Sequence, residues 1–521
     1  MDKIIRNSLA GLALLAFFLP PAARGQVWRA DNGDGTFKNP ILYADYPDAD
    51  IIRVGADYYF ASTTFVNVPG ITILHSKDLV NWEFASHVIT RLDGRPQYDM
   101  RNGVAYRAGS FAASLRYHDG VFYVANTPVG QKTRIYYTRN IRGPWRYHEL
   151  DREAFDPGLF IDRTGTGYIA TALGSGDGTI TLLTLSKDFS RVIDARPIHN
   201  LTGSEGSKII RRGDYYYLFN AIPRRLGLTV SRARNLSGPW ETRDQIDDKS
   251  GGHQGALVDL PNGDWFGFVM YDAGSPGRMT NLSPIFWKED WPVWGTPDAP
   301  GRVPAVARKP IQGFPFKEPA ASDDFNKRTL GLQWQWNHNP DDAGWSLAAR
   351  PGYLRLQATA ASELWFARNS LTQKGQGPRS IGEIKVDASH MRPGDVCGFG
   401  TLGQFSGRLS INRAPDGQLF LSMSVTEDMT GGPKTETRVK AQPFPGLEIR
   451  LRTQLDFTAD RGLLSYSVDG ARWTPLGGPF PLAFAWRTGT FQGEQFAISC
   501  YNPAPSGGFI DVDYFKLLPS G

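Results

Sequence analysis

The sequence has 521 residues, of which 41% are apolar, 21% charged and 12% aromatic, so it encodes a globular protein of two or three domains and not a disordered chain. The formal net charge is only +5, and the sequence contains no Lys/Arg-rich run or nucleic-acid motif, which argues against nucleic acid as a partner. Glycine (57) and proline (36) are abundant and helical periodicity is scarce, so the composition predicts an all-β protein of short strands joined by turns.

The first 25 residues have the layout of a secretory signal peptide. Basic Lys3 and Arg6 precede an apolar run from Leu9 to Leu19, and small residues follow as far as Gly25. The alternative is a membrane anchor, but the apolar run is short for a bilayer-spanning helix. We therefore expect cleavage after Gly25 and export to the periplasm or the extracellular space, with no membrane attachment afterwards.

A β-hairpin pattern occurs five times between residues 30 and 318. Each copy has an apolar pair, a short polar turn with glycine and an aromatic-rich apolar run. The copies are DIIRVGADYYFAST (50–63), SLRYHDGVFYVANT (114–127), GLFIDRTGTGYIATA (158–172), KIIRRGDYYYLFNA (208–221) and ALVDLPNGDWFGFVM (256–270). A further strand follows most copies, so the repeating unit has three or four strands. Repeats of this kind predict a β-propeller, here with five blades.

The C-terminal part has a different pattern. The repeat stops after about residue 300 at a segment rich in Pro, Gly and Ala, which is typical of a linker. Short strand patterns separated by turns then predict an antiparallel β-sandwich over 319–521. This region contains Cys397 and Cys500. An exported protein could join them in a disulfide, but two buried free thiols fit the sequence equally well.

Acidic residues precede three of the five hairpins. Asp48 and Asp156 lie three residues before the first apolar strand residue, and Glu205 lies four before it, whereas Phe111 and His253 precede the other two hairpins. Because the first strand of every propeller blade lines the central axis, these positions should converge at one end of the channel. One such acid alone would be explained as a turn residue. Three in one pocket favour a general acid and a general base, and hence glycoside hydrolysis.

These acids and their surroundings resemble the family 43 glycoside hydrolases. The matching segments are YPDADIIRVGADYYFAST, GSFAAS, FDPGLFID, GSEGSKII, GHQGALVDLPNGDWF and PGRMT. The resemblance implies a five-bladed propeller that hydrolyses pentosides with inversion, followed by a sandwich of the concanavalin-like jelly-roll type. It implies that Asp48 is the general base, that Glu205 is the general acid, and that Asp156 tunes the pKa of the acid and orients it. It further implies a sugar subsite lined by Phe155, Arg278 and His253, with Phe65 and Phe111 as additional candidates.

The resemblance also implies a substrate class. We expect exo-acting release of terminal xylose or arabinofuranose from plant cell-wall oligosaccharides of xylan, arabinoxylan or arabinan, and the sequence does not choose between the two pentoses. Two alternatives remain open: a carbohydrate-binding propeller without turnover, and another glycosidase specificity, such as galactosidase or endo-arabinanase. The resemblance implies no required cofactor. It allows a structural calcium ion, near His253 in the channel or near Asp324, Asp511 or Asp513 in the sandwich.

Two positions depart from the family pattern. Many relatives have Pro-Asp-Pro-Ser where this chain has Pro47-Asp48-Ala49-Asp50, so Asp50 adds a charge that we expect to pair with Arg53 or with a cation in the pocket. Many relatives also have Trp-Ala-Pro where this chain has Phe111-Ala112-Ala113, which changes the expected sugar platform.

Overall fold

The computed structural model describes residues 27–173, 176–246, 251–426, 435–486 and 488–520. The predicted signal peptide, residues 1–25, lies outside the described residues. The described chain is almost entirely β-structure, with short 3-10 helices at Pro96–Asp99, Pro223–Arg225, Asp342–Gly344 and Leu364–Phe366. None of the helices in these ranges is both long and apolar enough to cross a lipid bilayer.

The N-terminal domain is the predicted five-bladed β-propeller. Each blade is an antiparallel sheet whose strands follow chain order, and the first strands of successive blades neighbour one another in a ring that closes from the fifth blade to the first. The strands are Asp50–Val54, Asp57–Ser62, Gly70–Ser76 and Trp82–Ile89 in blade 1; Ser110–His118, Val121–Pro128, Arg134–Thr138 and Arg146–Glu149 in blade 2; Gly158–Ile161, Gly167–Thr171, Thr179–Leu185 and Val192–Asn200 in blade 3; Glu205–Arg212, Tyr215–Ile222, Gly227–Ala233 and Glu241–Ile246 in blade 4; and His253–Asp259, Trp265–Asp272, Arg278–Lys288, Trp291–Thr296 and Ala299–Pro300 in blade 5.

A short two-stranded sheet holds the two ends of the propeller together. Thr36–Lys38, ahead of blade 1, pairs with Val306–Arg308, which follows blade 5. The next residue, Lys309, is buried, and its Nζ lies 2.6 Å from Asp31 Oδ2 and 3.0 Å from Asp78 Oδ2. This charge cluster fastens the segment that leaves the propeller to blade 1.

The C-terminal domain is a sandwich of two large antiparallel sheets, as expected from its strand pattern. Apolar side chains between the sheets form one core that continues into blades 1 and 2. In order across the first sheet, the strands are Glu436–Pro443, Leu419–Thr426, Gly407–Arg413, Val396–Leu402, Gln495–Asn502, Leu371–Lys374, Gln335–Asn337 and Asn67–Val68, with Thr359–Ala360 pairing beside Gln495–Asn502. Across the second they are Trp345–Ser346, Leu354–Gln357, Phe509–Pro519, Arg379–Asp387, Glu448–Asp456, Arg461–Ser467 and Thr474–Pro475, with Phe480–Pro481 beside Arg461–Ser467.

Two features connect these strands beyond the sheet hydrogen bonds. Asn67–Val68 belongs to the chain of blade 1 but forms the edge of the first sandwich sheet, so one sheet spans both domains. Asn67 Nδ2 also donates to Gln495 Oε1 at 2.7 Å. Cys397 and Cys500 face each other on neighbouring strands and form a disulfide, which the sequence had left open.

Candidate active site

The backbone is irregular where all five inner strands begin. In blades 2, 4 and 5 the strand carries one extra residue relative to its partner, between Ser110 and Ala113, between Glu205 and Lys208, and between His253 and Ala256. In blades 1 and 3 the residue ahead of the strand is left-handed instead, with φ 56° at Asp48 and 44° at Asp156. Bulges and left-handed residues re-aim side chains that a regular strand would direct elsewhere. They direct these side chains into the mouth of the channel.

A cavity of about 240 Å³ lies at this end of the channel. It is lined by all eight site residues predicted from the sequence, together with residues that the sequence had not identified. The predicted ones are Asp48, Phe65, Phe111, Phe155, Asp156, Glu205, His253 and Arg278, and the others are Arg107, Ala112, Pro223, Leu226, Gln254, Met270, Asp272, Trp486 and Phe491.

Asp48 is held beside Arg278. The Arg278 Nη1 donates to Asp48 Oδ1 at 3.3 Å, and both side chains are buried. The backbone N–H of Arg278 donates to Asp45 Oδ1 at 2.8 Å, which positions the start of its strand. Arg278 is therefore a pocket cation and not part of a surface salt bridge. The guanidinium group of Arg278 therefore places a positive charge beside the Asp48 carboxyl group inside the cavity.

Glu205 is in the opposite electrostatic situation. Burial, and then the charges of Asp156 and Asp48, raise the pKa of Glu205 to about 9. Burial and the charge of Asp48 also raise the pKa of Asp156, but Lys208, the Gln254 amide and Arg278 oppose that rise. The pKa of Asp156 is thus raised to about 7 and stays below that of Glu205, so Asp156 loses its proton first and Glu205 keeps one at neutral pH and can act as an acid.

Aromatic rings form one wall of the cavity. The Phe65 ring lies 5.4 Å from that of Phe111 and 4.7 Å from that of Phe491, and the Phe111 ring lies 6.4 Å from that of Phe155 (centroid to centroid). The Arg278 guanidinium lies over the rings of Phe65 and Phe491, at 5.1 and 4.5 Å. Phe491 belongs to the sandwich domain, so the two domains build this wall together.

Unpaired polar atoms face the same space. Arg278 Nε and Asp272 Oδ1 are buried and have no hydrogen-bond partner among the described residues. The Nδ1 of His253 lies 2.8 Å from the carbonyl of Gly251, which can only accept, so Nδ1 carries a proton. Burial lowers the pKa of His253, so its Nε2 is an acceptor in the neutral ring. A donor and two acceptors on a cavity with an aromatic wall suit the hydroxyl groups of a sugar.

Five of the pocket residues that the sequence had not identified have polar or aromatic side chains, and these five fall into two groups. Gln254 and Asp272 lie close in sequence to predicted residues, and Gln254 directly follows His253 in the GHQG motif. Trp486 and Phe491 come from the sandwich, and Arg107 comes from the connection ahead of blade 2. The repeat carries no signal for this second group.

One expectation about Asp50 is wrong. Asp50 is buried and accepts from Arg116 Nη1 at 2.7 Å, from Ser114 Oγ at 2.9 Å and from the backbone N–H of Leu115 at 2.9 Å. It does not pair with Arg53, which instead pairs with Asp259. Side chains three residues apart on a strand point to opposite faces, so Asp50 and Arg53 cannot meet.

The residues considered for calcium do not fit an oxygen-rich metal site. Asp511 is held by Arg355 and Arg350, with Arg355 Nε 2.8 Å from Asp511 Oδ1, and Asp513 is held by Lys385. Asp324 is exposed. Within the part of the chain that the structure describes, no group of three or more His, Cys, Asp or Glu is arranged to hold a metal ion. Calcium needs six or more oxygen ligands, and the Asp511 and Asp513 carboxylates are already paired with cations.

Comparisons with known proteins agree with this arrangement. The model of glycosyl hydrolases family 43 matches residues 37–292, and that of the β-xylosidase C-terminal concanavalin A-like domain matches residues 322–517. A protein of Formosa agariphila named β-xylosidase is 29% identical over 93% of this chain and 90% of its own length. A non-reducing-end α-L-arabinofuranosidase of Bacteroides ovatus is 32% identical over 62% of this chain and 65% of its own length. A solved structure of a bifunctional GH43-CE protein of Bacteroides eggerthii, 34% identical, superposes with a TM-score of 0.85 over 93% of this chain and 64% of that one.

Proposed function

This chain belongs to glycosyl hydrolase family 43 and is a glycosidase, and from that premise we propose that it releases a terminal pentose from plant cell-wall oligosaccharides with inversion of the anomeric carbon. The observation that carries the proposal is the cavity in which Asp48, paired with Arg278, and a Glu205 whose pKa is raised to about 9 face the same space. Such a pair provides the general base and the general acid that inversion requires. The family needs no cofactor for this reaction.

The proposed reaction is a single displacement. Asp48 accepts a proton from a water molecule as its oxygen attacks the anomeric carbon, and Glu205 donates its proton to the glycosidic oxygen as that bond breaks. Asp156 acts in its ionised form, whose charge raises the pKa of Glu205 and so holds the proton on Glu205 until the leaving group needs it. Arg278 Nε, Asp272 Oδ1 and His253 Nε2 hold the sugar hydroxyls.

The shape of the site supports exo action. Phe491 and Trp486 of the sandwich line the cavity, and Arg107 Nη1 donates to the Trp486 carbonyl at 2.8 Å across the domain boundary. A cavity walled by two domains accepts the end of a chain, whereas an internal sugar needs a groove open in both directions. We therefore favour removal of one terminal sugar over endo-arabinanase action.

The identity of the pentose is supported by the relatives. The protein named β-xylosidase matches this chain over both domains, whereas the one named α-L-arabinofuranosidase matches 62% of it. We propose β-linked xylose as the preferred substrate and α-linked arabinofuranose as the second one. Fragments of xylan or arabinoxylan are the corresponding natural substrates.

We also propose that the protein is exported. The signal layout of residues 1–25 is the basis of this proposal, and the Cys397–Cys500 disulfide supports it, because disulfides persist in oxidising compartments. Fractionation of cells that express the full chain tests it. Finding the uncleaved chain in the cytoplasm would overturn this proposal without affecting the enzymatic one.

A panel of 4-nitrophenyl glycosides with anomer-resolved proton NMR tests the enzymatic proposal. We expect turnover of the β-xyloside, weaker turnover of the α-arabinofuranoside, and α-xylose as the first product formed from the β-xyloside. Asp48→Asn should lower kcat by about 10²- to 10⁴-fold, the typical contribution of a positioned base. A retained anomer would overturn the mechanism. Binding of xylo-oligosaccharides without hydrolysis would favour the carbohydrate-binding alternative, and faster turnover of a galactoside would overturn the pentose assignment.

A further inference from the structure

A buried lysine lies directly beneath the three carboxyl groups of the pocket. Lys208 is on the inner strand of blade 4, three residues after Glu205, and is 3% exposed. Its Nζ donates to Gln254 Oε1 at 3.3 Å. Gln254 Nε2 in turn donates to Asp156 Oδ2 at 3.1 Å. One amide therefore connects the ammonium group of Lys208 to the carboxylate of Asp156.

The backbone packs closely around the Lys208–Gln254–Asp156 connection. A Cβ atom at Gly206 would lie 2.1 Å from Gln254 Oε1, and one at Gly158 would lie 1.4 Å from the carbonyl oxygen of Ser207. Gly206 has a φ of 61°, and Gln254, which is not a glycine, has a φ of 50°. Left-handed backbone costs a non-glycine residue free energy and persists where surrounding contacts impose it. The Gln254 amide is thus held in place between blades 3, 4 and 5.

A count of charges explains why a lysine is needed here. Three carboxyl groups at the inner strands each have a cation: the pairs are Asp48 with Arg278 at 3.3 Å, Asp50 with Arg116 at 2.7 Å, and Asp156 with Lys208 through Gln254. Among the described residues, no Lys or Arg nitrogen lies within 4.0 Å of a carboxylate oxygen of Glu205. Burying a charge without a partner is costly, so the fourth carboxyl stays protonated.

We propose that Lys208, acting through the Gln254 amide, is the positioning residue that favours the ionised form of Asp156 and thereby leaves the catalytic proton on Glu205. Lys208 does not line the substrate cavity, so its effect passes through Asp156 and not through contact with the sugar. The inference rests on the proposed function only in naming Glu205 as the proton donor.

The electrostatics around these groups agree with the proposal. Lys208 acts to lower the pKa of Asp156 against burial and the charge of Asp48. Burial lowers the pKa of Lys208 itself, and Asp50, Asp48 and Asp156 oppose this, while Arg116 adds to it. The remaining groups facing the cluster are Arg278, which lowers the pKa of Asp156, His253, whose pKa burial lowers, and Asp272, whose Oδ1 lies 3.8 Å from His253 Nε2.

The pH dependence of kcat/KM in Lys208→Met tests this role. Removing the cation disfavours the ionised form of Asp156, so the acidic limb of the profile should move to higher pH by about one unit, a tenfold loss on that limb. Gln254→Met should move it in the same direction by less, and Lys208→Arg should restore most of the wild-type profile. Xylobiose is the probe, because its leaving sugar needs the proton of Glu205, and 4-nitrophenyl β-xyloside, whose leaving group needs little protonation, is measured in parallel to detect any effect of the substitution on Asp48.

Lys309→Met is the matched control, since Lys309 is also a buried, paired lysine but lies at the propeller closure. Lys309→Met should lower the Tm but leave the acidic limb of the kcat/KM profile at the same pH as in the wild type. A Lys208→Met enzyme that lost stability with an unchanged limb would show that Lys208 is merely structural and would overturn the proposal.

A titration without substrate separates this proposal from the proposed function. The infrared C=O band of protonated Asp156, assigned by its loss in Asp156→Asn, should persist to higher pH in Lys208→Met than in the wild type. This result would support the role of Lys208 even if the wild type hydrolysed no pentoside. An unshifted band would overturn it even in an active pentosidase.

Discussion

The floor and the rim of the pocket are built in different ways. The floor consists of Asp48, Asp156 and Glu205, which come from the inner strands of one domain and are held by bulges and left-handed residues of the propeller backbone. The rim consists of the sandwich segment that contains Trp486 and Phe491. A few hydrogen bonds hold that segment on the propeller: Gly493 N–H to Asp45 Oδ2 at 3.0 Å, Arg278 Nη2 to the Phe491 carbonyl at 3.4 Å, and Glu494 N–H to the Ser275 carbonyl at 3.0 Å.

Because of this difference, we expect the floor to determine the chemical step and the rim to determine substrate selection. The floor holds the groups that exchange protons, and its geometry is part of the repeat that forms the propeller. The rim is aromatic, depends on how the second domain packs, and can vary without changing the floor. Substitutions in the floor should therefore act on kcat, and substitutions in the rim should act on KM and on the preferred chain length.

The largest expected effect comes from Glu205→Gln in the floor. Hydrolysis of xylobiose, whose leaving sugar needs a proton, should slow by about 10²- to 10⁴-fold. Hydrolysis of a dinitrophenyl xyloside, whose leaving group needs none, should change far less. Steady-state kinetics on the two substrates measure the contrast, and an equal loss on both would contradict the assignment of Glu205 as the acid.

The same group sets the basic limb of the wild-type profile. Glu205 must be protonated to act, so turnover of xylobiose should be lost as pH rises through its pKa of about 9. Because this folded-state pKa is raised, the stability contributed by the neutral group is also lost as pH rises toward that value. Thermal unfolding of Glu205→Gln should accordingly depend less on pH above about 5 than that of the wild type, given an ordinary glutamate pKa of about 4.3.

Phe491→Ala tests the rim, with a smaller expected effect. Loss of one aromatic contact is worth about 0.5–1.5 kcal/mol, so KM for xylobiose should rise about 3- to 10-fold with kcat nearly unchanged. Activity on longer chains should fall less than activity on xylobiose. Phe509→Ala, in a sandwich strand whose ring stacks on His390, is the control and should leave KM as it is. A fall in kcat with constant KM would show that Phe491 belongs functionally to the floor.

Asp45→Asn tests how the rim is attached. One Asp45 oxygen accepts from Gly493 N–H of the sandwich and the other from Arg278 N–H of the propeller, so the substitution removes one of these two acceptors, and Arg278 and Gly493 then compete for the one that is left. Such a loss costs about 1–3 kcal/mol where the donor stays buried, and KM should rise by a few-fold while the Tm falls. Differential scanning calorimetry measures the Tm, and parallel kinetics measure KM. A changed Tm with an unchanged KM would show that the Asp45 contacts stabilise the fold without affecting the rim.

The floor could be predicted from the sequence because it repeats. Asp48, Asp156 and Glu205 occupy equivalent places in units that fold alike, so a local pattern was enough to bring them together. Asp50 shows the limit of the same reasoning. Its partner is Arg116 of the next blade and not the nearby Arg53, because strand alternation separates Asp50 from Arg53 and blade packing brings Arg116 close.

The sequence by itself determined the two β domains, the number of blades and the carboxyls at the axis, since each depends on periodicity and turn chemistry within short segments. Tertiary structure alone decided the placement of Phe491 against Phe65, the bridge from Lys208 through Gln254 to Asp156, and the pairing of the two cysteines. These contacts join residues between 46 and 426 positions apart. In each pair, at least one residue lies in no sequence pattern from which the contact could have been predicted. Long-range packing and the matching of buried charges therefore decide which group keeps the proton.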